Sequence, residues 1–388
     1  MAIIFINESD QNVQRLGYRI IVFYCNKKKN YKPLYDISIN NGLIPIAKFI
    51  ENMSQYQKDF DRSFFNTFYS SFIELYNVND IYLSDQQLNL FSFFDEHQNE
   101  TVSIVAPTSY GKSELIISSL NKRKKGNVCI LVPTKALLAQ TKKRLMNAQI
   151  GNISKIITHP EMYLDEETNI TAILTQERLL RLLQKKSDLS FDLVFVNEAH
   201  NLLENNDRNI LLATAILILE KRNSNVIFKF LTPFLEDSLN LCVINTNYVP
   251  KPFRITEYMK TERLYIYDFR NGQGLKLYDQ FINDFFDIET ENFADDIDLI
   301  LKNKGDKNII YLNKPSDLEK FSMKLSSRMS NTSSKRIEKA CEELSNYFHR
   351  DYSLISCLKK GLTYHHGSVP DNVRIYIEVR AAKQHANA

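Results

Sequence analysis

Gly111-Lys112-Ser113 ends a tight turn within the stretch T-V-S-I-V-A-P-T-S-Y-G-K-S-E, Thr101 to Glu114. A β-rich run (Val102, Ile104, Val105) precedes the turn and an apolar helical pattern (Leu115, Ile116, Ile117, Leu120) comes after it. A turn between strand and helix points backbone N–H groups inward, and the helix start adds its positive end, so the place suits a phosphate. Thr108, Ser109, Tyr110 and Gly111 form the cradle. Lys112 reaches the β/γ-phosphates of a nucleotide and Ser113 holds Mg²⁺. Where the general pattern begins with Gly, this chain has Ala106.

A second reactive stretch is Asn197-Glu198-Ala199-His200, directly after the apolar run Phe191 to Val196. A carboxylate at the C-terminal end of a strand beside a phosphate loop is placed to handle Mg²⁺ and water. Glu198 orients or deprotonates the attacking water, and His200 couples the nucleotide to the next segment. Upstream, Gln87 can read adenine because one amide both donates and accepts, with Gln86 as the fallback. Pro133-Thr134 sits between a strand and a helix start, a phosphate-gripping arrangement. Adjacent His365 and His366 would point to opposite faces of a strand, and no Cys or carboxylate cluster joins them. Contact with a nucleic-acid backbone suits them better than metal ligation.

These groups need a scaffold. Short apolar runs at Val128–Val132, Ile153–Thr158, Ile173–Thr175, Phe191–Val196 and Val226–Leu231 alternate with helical patterns. That alternation predicts a doubly wound parallel sheet. Residues 1–80 read as a mainly helical N-terminal domain. Arg15 to Cys25 fits strand or helix, and Asn26 to Asn30 is a solvated loop. The aromatic stripe Phe60, Phe64, Phe65, Phe68, Phe72, Tyr76 is read as core, with a partner-docking surface as the alternative. The basic turn Lys122 to Gly126 is read as a solvated face, with a binding patch as the alternative. Asn247 to Tyr267 reads as a linker. Beyond it the patterns predict a helix over Leu275–Phe285, a strand over Asn308–Leu312 and a helix through Leu325. A helix over Arg336–Phe348, a strand over Gly361–Tyr364 and a helix opening at Pro370 complete the pattern.

Hydrophobic content of 44% supports ordinary cores, while a net charge of +3 confines any basic binding surface to a local patch. Five scattered Cys without a C-x-x-C pair fit a reducing compartment and no structural zinc. No signal-peptide pattern and no apolar run of about 18 residues is present, so the chain reads as cytoplasmic, without a membrane partner.

Taken together, the motifs resemble those of superfamily 2 helicases, DEAD/DEAH-box members above all, with a Ski2-like flavour. The matching stretches are A-P-T-S-Y-G-K-S (Ala106 to Ser113), P-T-K-A-L (Pro133 to Leu137), T-Q-E-R-L (Thr175 to Leu179) and N-E-A-H (Asn197 to His200). Leu231-Thr232-Pro233 stands where S-A-T is usual, Asn308 to Ser316 looks like motif IV, and Tyr364 to Pro370 is similar to the Ski2-like H-H segment. The resemblance implies a P-loop RecA-like α/β domain (81–248), then a linker and partial second RecA-like domain (249–388). It implies ATP and Mg²⁺ as cofactors and single-stranded DNA or RNA as partner. Gln87, Lys112, Ser113, Glu198 and His200 belong to its ATP site. Pro133, Thr134, Thr175, Arg178 and His366 lie near the nucleic-acid backbone, where contacts fix register without reading sequence.

Two departures from the family stand out. Asn197 replaces the usual Asp, which keeps an oxygen for a water-mediated Mg²⁺ contact and loses a charge, so weaker Mg²⁺ binding is expected. After Glu378 a member of the family would continue through motifs V and VI, whereas the Ala-rich tail does not look like the family, so a truncation, a frameshifted remnant or an expressed fragment is expected. The alternative function is a non-catalytic, nucleotide-gated nucleic-acid-binding module. The ordered Pro133, Thr175 and His366 segments disfavour a P-loop kinase.

Overall fold

The computed structural model describes residues 1–53, 64–78, 81–108, 110–123, 125–148, 150–151, 153–164, 167–204, 207–255, 263–270, 274–279, 284–288, 292–305, 307–332, 334–347, 352–367, 369–370, 373 and 376. The chain divides into two compact units, Met1–Glu262 and Arg263–Ala388.

The first unit opens with helices α1 (Ala2–Ile6), α2 (Gln11–Lys28), α3 (Lys32–Asn40), α4 (Ile44–Glu51) and α5 (Phe64–Glu74). Asp10 starts α2 by accepting the N–H groups of Asn12 and Val13, and left-handed Lys29 (φ 55°) ends it. Arg15 to Cys25 is therefore helical, and Asn26 to Lys28 form its last turn rather than the expected loop. Ile21, Cys25, Tyr35, Ile44, Ala47, Ile50 and Ile73 pack as one core. Of the aromatic stripe, Phe72 and Tyr76 pack against that core, whereas Phe64, Phe65 and Phe68 are exposed. The expectation of a wholly buried stripe is corrected there; Phe60 lies outside the described residues.

A small antiparallel strand pair, β1 (Asn77–Val78) and β2 (Ile81–Tyr82), lies between these helices and the rest of the unit in sequence. Lys48 anchors it: its ammonium meets Glu74 at 2.9 Å and Glu51 at 3.2 Å and lies 4.7 Å from the Tyr82 ring centre.

Seven parallel strands form the central sheet: β3 (Val102–Val105), β4 (Val128–Leu131), β5 (Lys155–Ile157), β6 (Ile170–Leu174), β7 (Leu193–Asn197), β8 (Ile227–Thr232) and β9 (Lys251–Arg254). Their order is β5-β6-β4-β7-β8-β3-β9. The β9 strand falls in the stretch expected to be a linker; it pairs with β3 and completes the sheet. Helices α6 (Asp85–Glu96), α7 (Lys112–Lys122), α8 (Lys135–Asn147), α9 (Gln176–Lys185) and α10 (Asp207–Arg222) belong to this layer. Strand residues alternate between two cores. Cys129, Leu131, Val194 and Val196 pack with Leu182 and Ile216, while Val128, Ile130, Leu193 and Phe195 pack with Leu115 and Phe94. Burial on both faces is why the strands read as unbroken apolar runs.

Two cations hold helix ends beside this sheet. Lys229 on β8 is fully buried and donates to the carbonyls of His97 (2.6 Å) and Glu100 (2.8 Å), just past the end of α6. Arg222 donates to the carbonyls of Leu183, Lys186 and Leu189, closing the C-terminal end of α9.

The second unit contains an antiparallel sheet, β10 (Tyr265–Tyr267), β11 (Leu275–Asp279) and β12 (Asp284–Ile288), with helices α11 (Asp296–Asn303), α12 (Pro315–Ser327), α13 (Lys335–Tyr347) and α14 (Ser353–Leu358). The helix expected over Leu275–Phe285 is corrected: its described ends are two paired strands. The strand expected over Asn308–Leu312 does not form, and Ile309 and Tyr311 are exposed. Nor is Gly361–Tyr364 a strand; Gly361 is left-handed (φ 78°) and Tyr364 is buried, sharing a hydrogen bond with Ser353. Neither stretch finds a neighbouring strand among the described residues, and an isolated strand leaves its backbone groups unpaired. The helix expected at Pro370 and the Ala-rich tail lie largely or wholly outside the described residues. Among the described residues no helix is long and apolar enough to cross a membrane.

Candidate nucleotide site and neighbouring loops

β3 hands the chain to α7 through the phosphate-type loop. The Ala106 N–H donates to Thr232 O at 3.0 Å, so the loop leaves the sheet beside the end of β8. Gly111 caps α7 at φ 88°, a conformation that favours glycine. The Lys112 ammonium folds back onto the Ala106 carbonyl at 2.5 Å and the Pro107 carbonyl at 3.3 Å. Its side chain is buried; burial lowers its pKa, and the Glu198 carboxylate partly opposes the shift.

Thr108, Gly111, Lys112, Ser113, Gln87, Asn197 and Glu198 line one cavity of about 940 Å³. The structure thus brings together most residues expected to meet the nucleotide. Ser109 lies outside the described residues. Tyr110 is buried in the core under α7. Gln87 forms a capping box with Ser84: its amide oxygen accepts the Ser84 N–H at 2.8 Å while Ser84 Oγ accepts the Gln87 N–H. Its oxygen is committed to α6, which leaves the amide nitrogen as the group to offer a base. Gln86 lines a different cavity, with Gln11 and Arg15.

Asn197 is the last residue of β7, and Glu198 turns left-handed at φ 58°, ψ 50°. Left-handed backbone is uncommon for a non-glycine residue and costs about 1 kcal/mol or more, held here by a short 3₁₀ turn, Ala199–Leu203. His200 Nδ1 lies 3.5 Å from Glu198 Oε2 and 3.4 Å from Thr232 Oγ1. The Thr232 hydroxyl already donates to Phe234 O at 2.8 Å, so Thr232 accepts and Nδ1 carries the hydrogen. The Phe234 ring packs on the imidazole at 4.7 Å. His200 therefore joins the end of β7 to the end of β8.

Most residues expected beside nucleic acid already hold partners within the chain. Thr134 caps α8, accepting the Leu137 N–H. Thr175 precedes α9, is buried, and spends its hydroxyl on Glu177. Arg178 donates to Thr158 O at 2.7 Å. Pro133 offers its carbonyl to Arg208. His366 belongs to the second unit, where it bonds Glu319 at 2.9 Å.

Among the described residues no cluster of three or more His, Cys, Asp or Glu could hold a metal by itself. Ser113, Asn197 and Glu198 offer a hydroxyl, an amide and one carboxylate on the same cavity. Such a set suits Mg²⁺, which keeps several waters and leans on substrate phosphates. The open space around Gly111 and the buried Lys112 ammonium fit the accompanying phosphates.

Residues 85–229 match the DEAD/DEAH box helicase family model. The matched stretch runs from α6 into β8 and includes most of the residues that line this cavity. It is 31% identical over 134 residues to anti-bacteriophage protein B of Escherichia coli K12, covering 34% of this chain and 17% of that one. The Hef helicase domain of Pyrococcus furiosus is 17% identical with a TM-score of 0.32, covering 44% of this chain and 38% of that one. The DEAH/RHA helicase HrpB of Escherichia coli is 16% identical with a TM-score of 0.33, covering 43% and 22%. The chain spans only these fractions of their lengths.

Sequence reasoning missed Arg208 and Lys229. Arg208 leaves one faint signal: a cation in the first turn of a helix opposes the helix dipole and needs a partner. Lys229 leaves only a lysine inside an apolar strand pattern.

Proposed function

We propose that this chain is an ATP-dependent helicase or translocase with a Ski2-like flavour, working on single-stranded segments of DNA or RNA. The observation that carries this reading is the buried Lys112 ammonium, held by loop carbonyls and sharing a cavity with Glu198. A buried cation held by neutral carbonyls favours an arriving anion. Lys112 and the loop N–H groups bind the phosphates of ATP, and Ser113 and Asn197 hold Mg²⁺ with Glu198. Bound Mg²⁺ would neutralise charge on the β- and γ-phosphates. Glu198 orients the attacking water and takes its proton. His200, hydrogen-bonded to Thr232, carries the state of the cavity to β8. The loops bearing Pro133, Thr134, Thr175 and Arg178 form the nucleic-acid side, through their backbone and helix starts where the side chains are already engaged.

Asn197 favours a second reading, a nucleotide-gated binding module without turnover, because an amide contributes no charge beside the dication. Multiple-turnover ATP hydrolysis, measured with and without single-stranded DNA or RNA, separates the two. Turnover stimulated by nucleic acid supports the motor. Tight nucleotide binding without turnover refutes it and leaves the module.

A further inference from the structure

Arg208 stands outside every motif, yet its guanidinium joins two of them. Nε donates to Glu177 Oε1 at 2.9 Å. With the Gln176 amide turned so that its oxygen faces the guanidinium, that oxygen accepts from both Nε and Nη2 at 3.0 Å. Nη2 also donates to the Pro133 carbonyl. Pro133 precedes the cap of α8, and Gln176 and Glu177 open α9. The strands before these helices, β4 and β6, are paired neighbours, so both helix starts lie at the same edge of the sheet. One planar cation therefore ties together two adjacent loops.

Arg208 and Glu177 also meet as opposite charges at the surface. Burial pushes the Glu177 carboxyl up, but hydrogen bonds from Thr175, its own backbone N–H and Arg208, together with the Arg208 charge, leave it lowered. Arg208 itself sits in the first turn of α10, where a cation opposes the helix dipole. Its acceptors offset that cost, and only a guanidinium can meet three of them from one edge.

We infer that Arg208 is a positioning residue for nucleic acid: it fixes the spacing of the Pro133–Thr134 and Thr175–Arg178 loops so that both engage one backbone. This rests on the proposed nucleic-acid role of those loops. The surface that grips a backbone at two places loses affinity when one place drifts, even though no phosphate contact is removed.

The test uses the full chain with a fluorescent thymidine or uridine homopolymer over a salt series, alongside MgATP binding and thermal melting. Arg208→Ala is expected to weaken homopolymer binding about tenfold with an unchanged salt slope, since no phosphate contact is lost. Arg208→Lys should not restore it, because an ammonium lacks the fork. Glu177→Ala should weaken binding too, and the double variant should fall short of additivity. MgATP affinity should stay within about twofold of wild type, because neither Arg208 nor Glu177 lines the nucleotide cavity. A salt slope shallower by about 0.7 would mean that Arg208 holds a phosphate itself, overturning the positioning role. Unchanged homopolymer affinity overturns it as well, as does a parallel loss of MgATP affinity and melting temperature. If the wild-type chain binds no homopolymer, the nucleic-acid reading fails and takes this inference with it.

Discussion

Lys112 turns its ammonium onto the Ala106 carbonyl, 2.5 Å away, inside the loop it would have to serve. Burial lowers its pKa, and Glu198 only partly offsets this. MgATP binding needs the charged form. Affinity should therefore fall as pH rises through a range below that of an ordinary lysine. Calorimetric titration at several alkaline pH values checks this; affinity held constant into the ordinary lysine range would contradict it.

Asn197 ends β7 at the cavity, where a carboxylate would add charge beside Mg²⁺. Asn197→Asp is expected to tighten Mg²⁺-dependent nucleotide binding and to raise turnover, by about tenfold if one charge is worth about 1–2 kcal/mol here. Magnesium titrations of nucleotide affinity provide the readout. No change between Asn and Asp would remove this residue from the metal-binding set.

Lys229 gives a pH signature of the fold rather than of the site. Burial pushes its pKa down to about 8, against the pull of Glu100, from an ordinary 10.5. Below about pH 8 both folded and unfolded chains hold the proton. Between there and 10.5 the unfolded chain holds a proton that the folded chain has released, so stability rises with pH. The rise amounts to about 3 kcal/mol at most. Denaturant midpoints of wild type and Lys229→Met, compared across that window, should show different slopes: rising for wild type relative to the variant. Parallel curves would refute a depressed Lys229.

Arg222 closes α9 through three carbonyls at 2.6, 3.0 and 2.6 Å. Arg222→Ala should cost about 2–3 kcal/mol of unfolding free energy, since it orphans carbonyls at a helix end. Urea denaturation measures it, and a loss under about 0.5 kcal/mol would show that water replaces the guanidinium without penalty.

The central sheet was legible because its strands are buried on both faces. Val128 to Val132 and Phe191 to Val196 admit few readings other than interior strands. The phosphate loop and N-E-A-H were legible as spacing, and the sheet order brings them to one cavity. The second unit was harder. Leu275, Leu277, Tyr278 and Phe285 satisfy helical spacing on paper, but Leu277 pairs with Phe286 and Tyr278 with Phe285 between two antiparallel strands. Short aromatic-rich runs fit either period until a partner strand is known. The roles of Thr175 and Arg208 were hidden for a related reason. Whether a polar side chain meets solvent, a carboxylate or a distant carbonyl depends on which loops the topology places side by side.

The most direct measurement is MgATP affinity of the wild-type chain and of Lys112→Ala, with circular dichroism to verify that both are folded. Measurable binding by wild type and none by the folded variant is the expected result. Equal affinity in the two would place the nucleotide elsewhere and contradict the assignment of this cavity.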